Sequence, residues 1–441
     1  MADSICQDYP PDLNEAQSEN LLCNLNDWAI AHGLAVRPPL GFVSAEVDPH
    51  RVLATTAPVT LFPSPFPRDC YDEACAIQVA YNKLYAAVAN DEAFLEEVVQ
   101  EIVDVDDFIA QLWKTHVEVK RDGYVQSLSL GLFRSDYMIH VDPEDPKTQP
   151  EIKQVEFNTI ASSFAGLSGQ VSRLHQHLFR IGAYPPSPLL KQDAFPCNDS
   201  ISGLAEGLAA ACRAYGLPKS APRCPLCVLI VVQSAERNVF DQRHLEYELW
   251  TKHNTPIFRL PFAEILARTS VSSTSLKSLL YTPKHNPATS YEVSVVYFRA
   301  GYTPTDYPTP DAWSARLQIE RSGAIKCPSV LTQLAGCKKV QQVLATPSSP
   351  HLARFLADTE TASRIRSTFT NIYPLDADTP GGEFARTHAL DPVLSQNFVL
   401  KPQREGGGNN IYRGAIPPFL RSLPRDHWKS YILMELIEPP T

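Results

Sequence analysis

The chain has 441 residues, 44% of them hydrophobic and 20% charged, with a net charge of −10. That is the composition of a folded protein of two or three domains. The acidic balance and the lack of a basic tract exclude a nucleic-acid-binding surface, and no apolar run nears the ~20 residues a membrane span needs. The start, MADSICQDYPPDL, has no basic region followed by an apolar one, and the ten cysteines form no framework, so reduced thiols in the cytoplasm are expected.

Leu21, Leu22, Leu25, Trp28 and Ala29 recur at helical spacing and stop at Gly33, predicting a helix over about 15–33. The proline-rich stretch 37–68 reads as extended, and 70–121 as a helical block with acidic faces. Three β-like runs follow, Val125–Phe133, Tyr137–Val141 and Glu151–Phe157, the last running into Asn158 and a small-residue loop. After a helix at about 170–182 comes a proline-rich connector, and from 226 the pattern alternates. Leu226–Gln233, Pro256–Leu260 and Glu292–Phe298 read as apolar strands around a helix at 239–252, which implies a buried parallel sheet. RTSVSSTSLKS reads as a surface loop between the last two strands. Residues 311–372 look mainly helical, with Lys338 and Lys339 opening one helix, and Tyr431–Ile437 closes the chain as a strand.

Several places carry candidate chemistry. Glu156 and Asn158 alternate on a strand end, so their oxygens share one side, a donor pair suited to Mg²⁺; an edge glutamate and a turn-starting asparagine would look the same. Arg134 could clamp a carboxylate or simply pair with Asp136. In FVLKPQREGGGNNIY, 398–412, an apolar run leads to Lys401, Arg404 and Glu405, then Gly406, Gly407 and Gly408. Three glycines let backbone N–H groups close on an anion, so strand, phosphate-covering loop and return strand are expected. Polar loops at strand C-termini, Ser234–Asn238 and Arg299–Tyr302, occupy the usual place of α/β ligand sites. Cys224 and Cys227 form a single CxxC with no second pair, which favours a structural role. No GxSxG, GxxxxGK[ST] or GxGxxG motif is present. Glycine loop, lysines, metal donors and arginines without a nucleophile fit phosphoryl transfer, an ATP-dependent reaction on a small anion.

The segments GLFRSDYM (131–138), QVEFNTI (154–160), ERNVFDQR (236–243), VVYFRAGY (295–302), ARLQIERSGAIKCP (315–328), TQLAGCKKVQQ (332–342), FVLKPQREGGGNNIY (398–412) and YILMELIEP (431–439) resemble eukaryotic glutathione synthetase. The resemblance runs from about Leu61 to the end. It implies an α/β ATP-grasp fold with an inserted parallel-sheet substrate domain: 1–222 a helical region and the first part of the ATP-grasp domain, 223–328 the substrate-binding domain, and 329–441 the remainder with its glycine-rich flap. It also implies a cytoplasmic homodimer that joins γ-glutamylcysteine to glycine through an acyl phosphate, using ATP and one or two Mg²⁺ ions. Metal ligands fall on Glu156, Asn158 and Glu405. ATP contacts fall on Glu156, Lys338, Lys401, Gln403, Arg404, Glu405, Gly406, Gly407, Gly408, Asn409, Asn410 and Tyr412, and on Met434, Glu435, Leu436 and Ile437 around adenine. Substrate contacts fall on Arg134, Ser162, Ser163, Glu236, Arg237, Asn238, Gln242, Arg299 and Tyr302, with Arg134, Lys338 and Lys401 as the catalytic set.

Three departures stand out. Ala161-Ser162-Ser163 replaces the usual Ser-Ala-Ser, Leu436 stands where lysine is common, and the family pattern continues past Thr441. A C-terminally truncated chain is therefore expected. The alternatives are an inactive ATP-binding or dimerising module, an incomplete gene model, or a ligase with another acceptor such as β-alanine.

Overall fold

The computed structural model describes residues 9–39, 41–142, 149–376, 378–379, 381–403 and 409–440. Contacts divide the chain into two compact units. The first comprises Met1–Pro65, Ser163–Ala214 and Gln233–Ile257; the second comprises Phe66–Ser162, Tyr215–Val232 and Phe258–Thr441.

In the first unit the predicted opening helix spans Glu15–Ala31, and Asn14 and Gln17 close its start as a capping box. Leu21, Leu25 and Ala29 pack with Leu167, Leu174 and Leu178 of the helix Ala165–Arg180. The carboxylate of Asp241, near the start of the helix Val239–His253, accepts from the backbone N–H groups of Phe164, Gly166 and Leu167 at 2.9, 2.9 and 3.2 Å. A helix start whose orphan donors meet a buried carboxylate is fixed in place.

The second unit opens with the helical block, resolved as Arg68–Asn90, Glu92–Gln100 and Asp107–Asp122. Its main sheet has a parallel centre: Leu226–Val232 and Ile325–Cys327 both run parallel to Tyr291–Phe298. These strands are buried on both faces, hence the uninterrupted apolar run of Leu226–Val232, while Tyr291–Phe298 buries Glu292 and Ser294 among its apolar residues. The Ser/Thr-rich stretch expected as a surface loop instead carries a hairpin. Thr269–Val271 pairs antiparallel with Leu279–Tyr281, which pairs antiparallel with Tyr291–Phe298. Thr269, Leu279 and Tyr281 are buried there, so short alternation was enough to attach the stretch to the sheet edge.

The run Val125–Phe133 is not a strand. Only Ser129 forms a bridge, to Lys326, with Leu130 N–H donating to the Lys326 carbonyl at 2.9 Å. The Phe133 ring folds back over Gly131, where a Cβ would lie 2.2 Å from it, so the chain turns away before a ladder can form. The true strand begins at Arg134: Arg134–His140 pairs antiparallel with Glu151–Asn158. A third sheet, entirely antiparallel, orders Ile372–Pro374, Tyr431–Glu435, Phe398–Pro402 and Ile411–Tyr412. The last pair is the expected strand and return strand on either side of the glycine stretch, with Val399 opposite Tyr412.

Candidate active site

The site is built on the strand Glu151–Asn158. Phe157 is buried and stacks on Tyr85, ring centroids 4.0 Å apart, with Tyr81 5.7 Å away. Anchoring Phe157 on the core side sends Glu156 and Asn158 to the opposite face, because strand side chains alternate. In the paired strand, Arg134 lies opposite Asn158 and Asp136 opposite Glu156, so four polar residues share that face.

Arg134 engages Asp136 through two bonds, Nε to Oδ1 at 2.6 Å and Nη2 to Oδ2 at 2.9 Å. The local ion pair weighed from sequence thus exists in the ligand-free chain. Glu156 Oε2 lies 2.5 Å from Lys338 Nζ, the first residue of the helix Lys338–Ala345. Burial opposes ionisation of Glu156, but Lys338, by attraction and hydrogen bond, together with Lys401 and Arg134, outweighs it and holds the carboxyl below its usual range.

Lys401 reaches the same place from the third sheet. On Phe398–Pro402, Phe398 and Leu400 join one apolar cluster while Val399 joins another. Lys401 therefore emerges on the Val399 side, where its Nζ donates to the Val155 carbonyl at 3.0 Å. Burial first, then the like charge of Lys338, push its pKa down to about 8 against the attraction of Glu156. Gln403 Oε1 accepts from Lys339 N–H at 2.6 Å, which ties the strand's exit to the helix start, and the Lys339 ammonium lies 2.5 Å from Glu101 Oε2.

The strand Tyr431–Glu435 lies beside Phe398–Pro402, with Met434 opposite Val399. Met434 is buried, and Leu436 and Ile437 pack against the same core. The Glu435 carboxylate accepts from Asn371 Nδ2 at 2.9 Å and Tyr373 OH at 3.0 Å, and Leu436 N–H donates to the Asn397 carbonyl at 2.9 Å. Asn409 and Asn410 line a cavity of about 510 Å³ with Pro402, Ile411 and Tyr431. Arg404, Glu405, Gly406, Gly407 and Gly408 lie outside the described residues.

The Arg299–Tyr302 loop follows the central strand directly, with Arg299 N–H bonded to the Val231 carbonyl at 2.8 Å. Gly301 and Tyr302 N–H groups both donate to Asp306 Oδ2, at 2.8 and 3.2 Å. Ser162 Oγ is within reach of the Leu132 and Asn158 carbonyls, at 2.7 and 3.2 Å. In the first unit, Glu236 accepts from Asn238 N–H at 2.8 Å and Gln242 Nε2 at 2.6 Å, and Arg237 exchanges backbone and side-chain bonds with Arg37. Ser163 belongs to that unit as well. Sequence reasoning missed Val155, whose contribution is a backbone carbonyl and carries no side-chain signal.

A lysine pair and a carboxylate brought together from three distant segments of an α/β chain form a charged site of the kind an ATP-dependent enzyme uses for phosphates. The comparisons make this specific. Residues 15–441 match the family model described as the ATP-binding domain of eukaryotic glutathione synthase. The large chain of glutathione synthetase from Schizosaccharomyces pombe is 41% identical over 443 residues, covering 96% of this chain and 83% of that protein. Glutathione synthetase of Homo sapiens is 38% identical, with 97% and 83% covered. The chain belongs to the eukaryotic glutathione synthase family. A glutathione synthetase-like effector from Globodera pallida, in apo form, shares the fold with a TM-score of 0.70 at 22% identity, covering 97% of this chain and 83% of its own. No helix among the described residues is long and apolar enough to cross a membrane.

Proposed function

We propose that the chain ligates γ-glutamylcysteine to glycine at the expense of ATP. The substrate carboxylate attacks the γ-phosphorus, ADP leaves, the glycine amine attacks the resulting acyl phosphate, and phosphate departs. No protein nucleophile is required; the work is positioning and neutralisation of charge. The observation that carries this reading is the 2.5 Å Glu156–Lys338 pair with Lys401 beside it. Lys338 and Lys401 would face the phosphates, and Arg134 and Arg299 the substrate carboxylates. Ser162 and Tyr302, and Ser163, Glu236, Arg237, Asn238 and Gln242 of the first unit, are proposed to contact γ-glutamylcysteine by resemblance. Gln403 through Tyr412 and Met434 through Ile437 are proposed to enclose ATP.

The donor set suits Mg²⁺. Glu156 and Asn158 offer a carboxylate and an amide oxygen on one face, and the Asn158 amide nitrogen, 3.4 Å from the Arg134 carbonyl, leaves Oδ1 as its ligating atom. These two residues, with Glu405, would hold the ion, which when bound supplies charge neutralisation to the phosphates. Residues 223–328 are proposed as the substrate-binding part and the flanking segments as the ATP-grasp part of a cytoplasmic homodimer.

The test is direct: purified chain, ATP, MgCl₂, γ-glutamylcysteine and glycine, with glutathione and ADP quantified together. Equal, glycine-dependent amounts of both are expected, lost on chelation with EDTA. ADP without glutathione would overturn the reading. β-Alanine offered in place of glycine measures acceptor choice, and light scattering measures the dimer.

A further inference from the structure

One buried residue outside every contact described so far touches two parts of the site. Gln333, in the helix Val330–Ala335, is 6% exposed. Its Nε2 donates to the Gly301 carbonyl at 2.9 Å, in the loop that follows the central strand. Its Oε1 accepts from Arg316 Nη1 at 2.7 Å. Its backbone carbonyl lies 3.4 Å from Thr159 Oγ1, next to Asn158. Five residues further along the chain stands Lys338.

The orientation of the Gln333 amide is forced. Arginine can only donate and a carbonyl can only accept, so a flipped amide would set donor against donor and oxygen against oxygen. Arg316 is itself fully buried, paired with Glu320 at 3.0 Å and lying 4.3 Å over the Phe298 ring, immediately before Arg299. Tyr307 OH is a second donor to the Gly301 carbonyl, at 3.2 Å, and lies 3.4 Å from Arg316. A buried ion pair of this kind is a poor source of stability compared with apolar packing. Arg316 bonds instead to Gln333 and Tyr307, the two side chains that both donate to the Gly301 carbonyl of the Arg299–Tyr302 loop.

We infer that Gln333, held by Arg316, is a positioning residue that sets the Arg299–Tyr302 loop for γ-glutamylcysteine while fixing the loop to the Asn158–Thr159 strand end. This rests on the function proposed above for that loop. Both buried donors to the Gly301 carbonyl are specified by Arg316, so the loop's register follows from side chains that never meet the substrate.

The experiment compares wild type with Gln333→Glu, Gln333→Leu and Tyr307→Phe. Dissociation constants for γ-glutamylcysteine and for ATP are measured by calorimetry alongside turnover and thermal midpoints. Gln333→Glu keeps an acceptor for Arg316 but turns an oxygen toward the Gly301 carbonyl. It should weaken γ-glutamylcysteine about tenfold and leave ATP within about twofold. Tyr307→Phe removes one of two donors and should weaken the same substrate about threefold, without an effect on ATP. Gln333→Leu should fall furthest in both affinity and thermal midpoint. Equal losses for both ligands, or unchanged γ-glutamylcysteine affinity in the folded Tyr307→Phe and Gln333→Glu variants, would overturn the inference. Wild type that binds γ-glutamylcysteine but forms no glutathione would refute the catalytic reading and leave the variant comparison decisive. Wild type that binds none would overturn both.

Discussion

Lys338 Nζ sits 2.5 Å from Glu156 Oε2, joining the start of one helix to the end of a strand 182 residues earlier. Lys338 is 4% exposed and Glu156 22%, so neither charge has water as an easy substitute partner.

Glu156→Ala leaves the Lys338 ammonium buried beside Lys401 with its carboxylate gone. The cost is about 3 kcal/mol, readable as a lower urea midpoint. The double variant Glu156→Ala/Lys338→Met removes the stranded charge and should recover most of that stability. Glutathione formation should stay down by at least about a hundredfold. An active double variant contradicts the assignment.

Lys401 gives the site a pH signature. Its pKa lies at about 8 in the folded chain against 10.5 for the free side chain. Between these values the unfolded chain holds a proton that the folded one has released, so this group's contribution to stability grows as pH rises through the window. Phosphate beside the amine restores the proton. ATP affinity should therefore be highest below pH 8 and decline above it, by up to about tenfold per pH unit. Calorimetry at pH 9 in buffers of different ionisation enthalpy should show proton uptake with ATP in wild type and none in Lys401→Met.

Gly301 has φ of +90°, and a Cβ there would lie 2.9 Å from the Tyr307 hydroxyl. Gly301→Ala therefore meets both backbone strain and a displaced donor. Stability should drop by about 1–3 kcal/mol, and KM for γ-glutamylcysteine should rise more than KM for ATP. Equal changes in the two KM values would count against a substrate role for this loop.

The Glu435 carboxylate is bonded to Asn371 and Tyr373 within its own sheet, and burial together with that carboxylate raises the Tyr373 phenol above its ordinary pKa. Its side chain is thus engaged by these two residues, and a nucleotide contact is expected through the backbone of Glu435–Ile437. Glu435→Gln should lower stability by about 1 kcal/mol while KM for ATP stays within about threefold. A tenfold rise in KM would reassign the side chain to the nucleotide.

Much of this site was legible in the sequence because its signals are local. Glu156 and Asn158 alternate about a buried phenylalanine, and strand alternation alone puts them on one face. Lys338 opens a helix, and Lys401 precedes a glycine stretch in a strand with one return partner. The partnerships were not legible: Glu156 with Lys338 and Lys401 with the Val155 carbonyl join residues 182 and 246 positions apart. Strand pattern also failed where a ladder needed a partner. Val125–Phe133 has the apolar content of a strand, but its only registered neighbour is Lys326, and Phe133 covers Gly131 instead of extending. Conversely, Thr269–Val271 and Leu279–Tyr281 are too short and too rich in serine around their turn to announce a hairpin, and only the waiting edge of the sheet makes them one.

The two compact units interleave along the chain, and this sets an order during synthesis. Every segment of the first unit has been synthesised once Ile257 is made, whereas the second unit awaits Phe258–Thr441. Its central parallel pair cannot zip until Tyr291–Phe298 arrives to meet Leu226–Val232. Non-local parallel pairing of this kind is slow and leaves apolar strands waiting. A nascent chain that has emerged as far as residues 258–290 would thus carry one closed unit and one exposed, unmatched strand, a natural client for a chaperone.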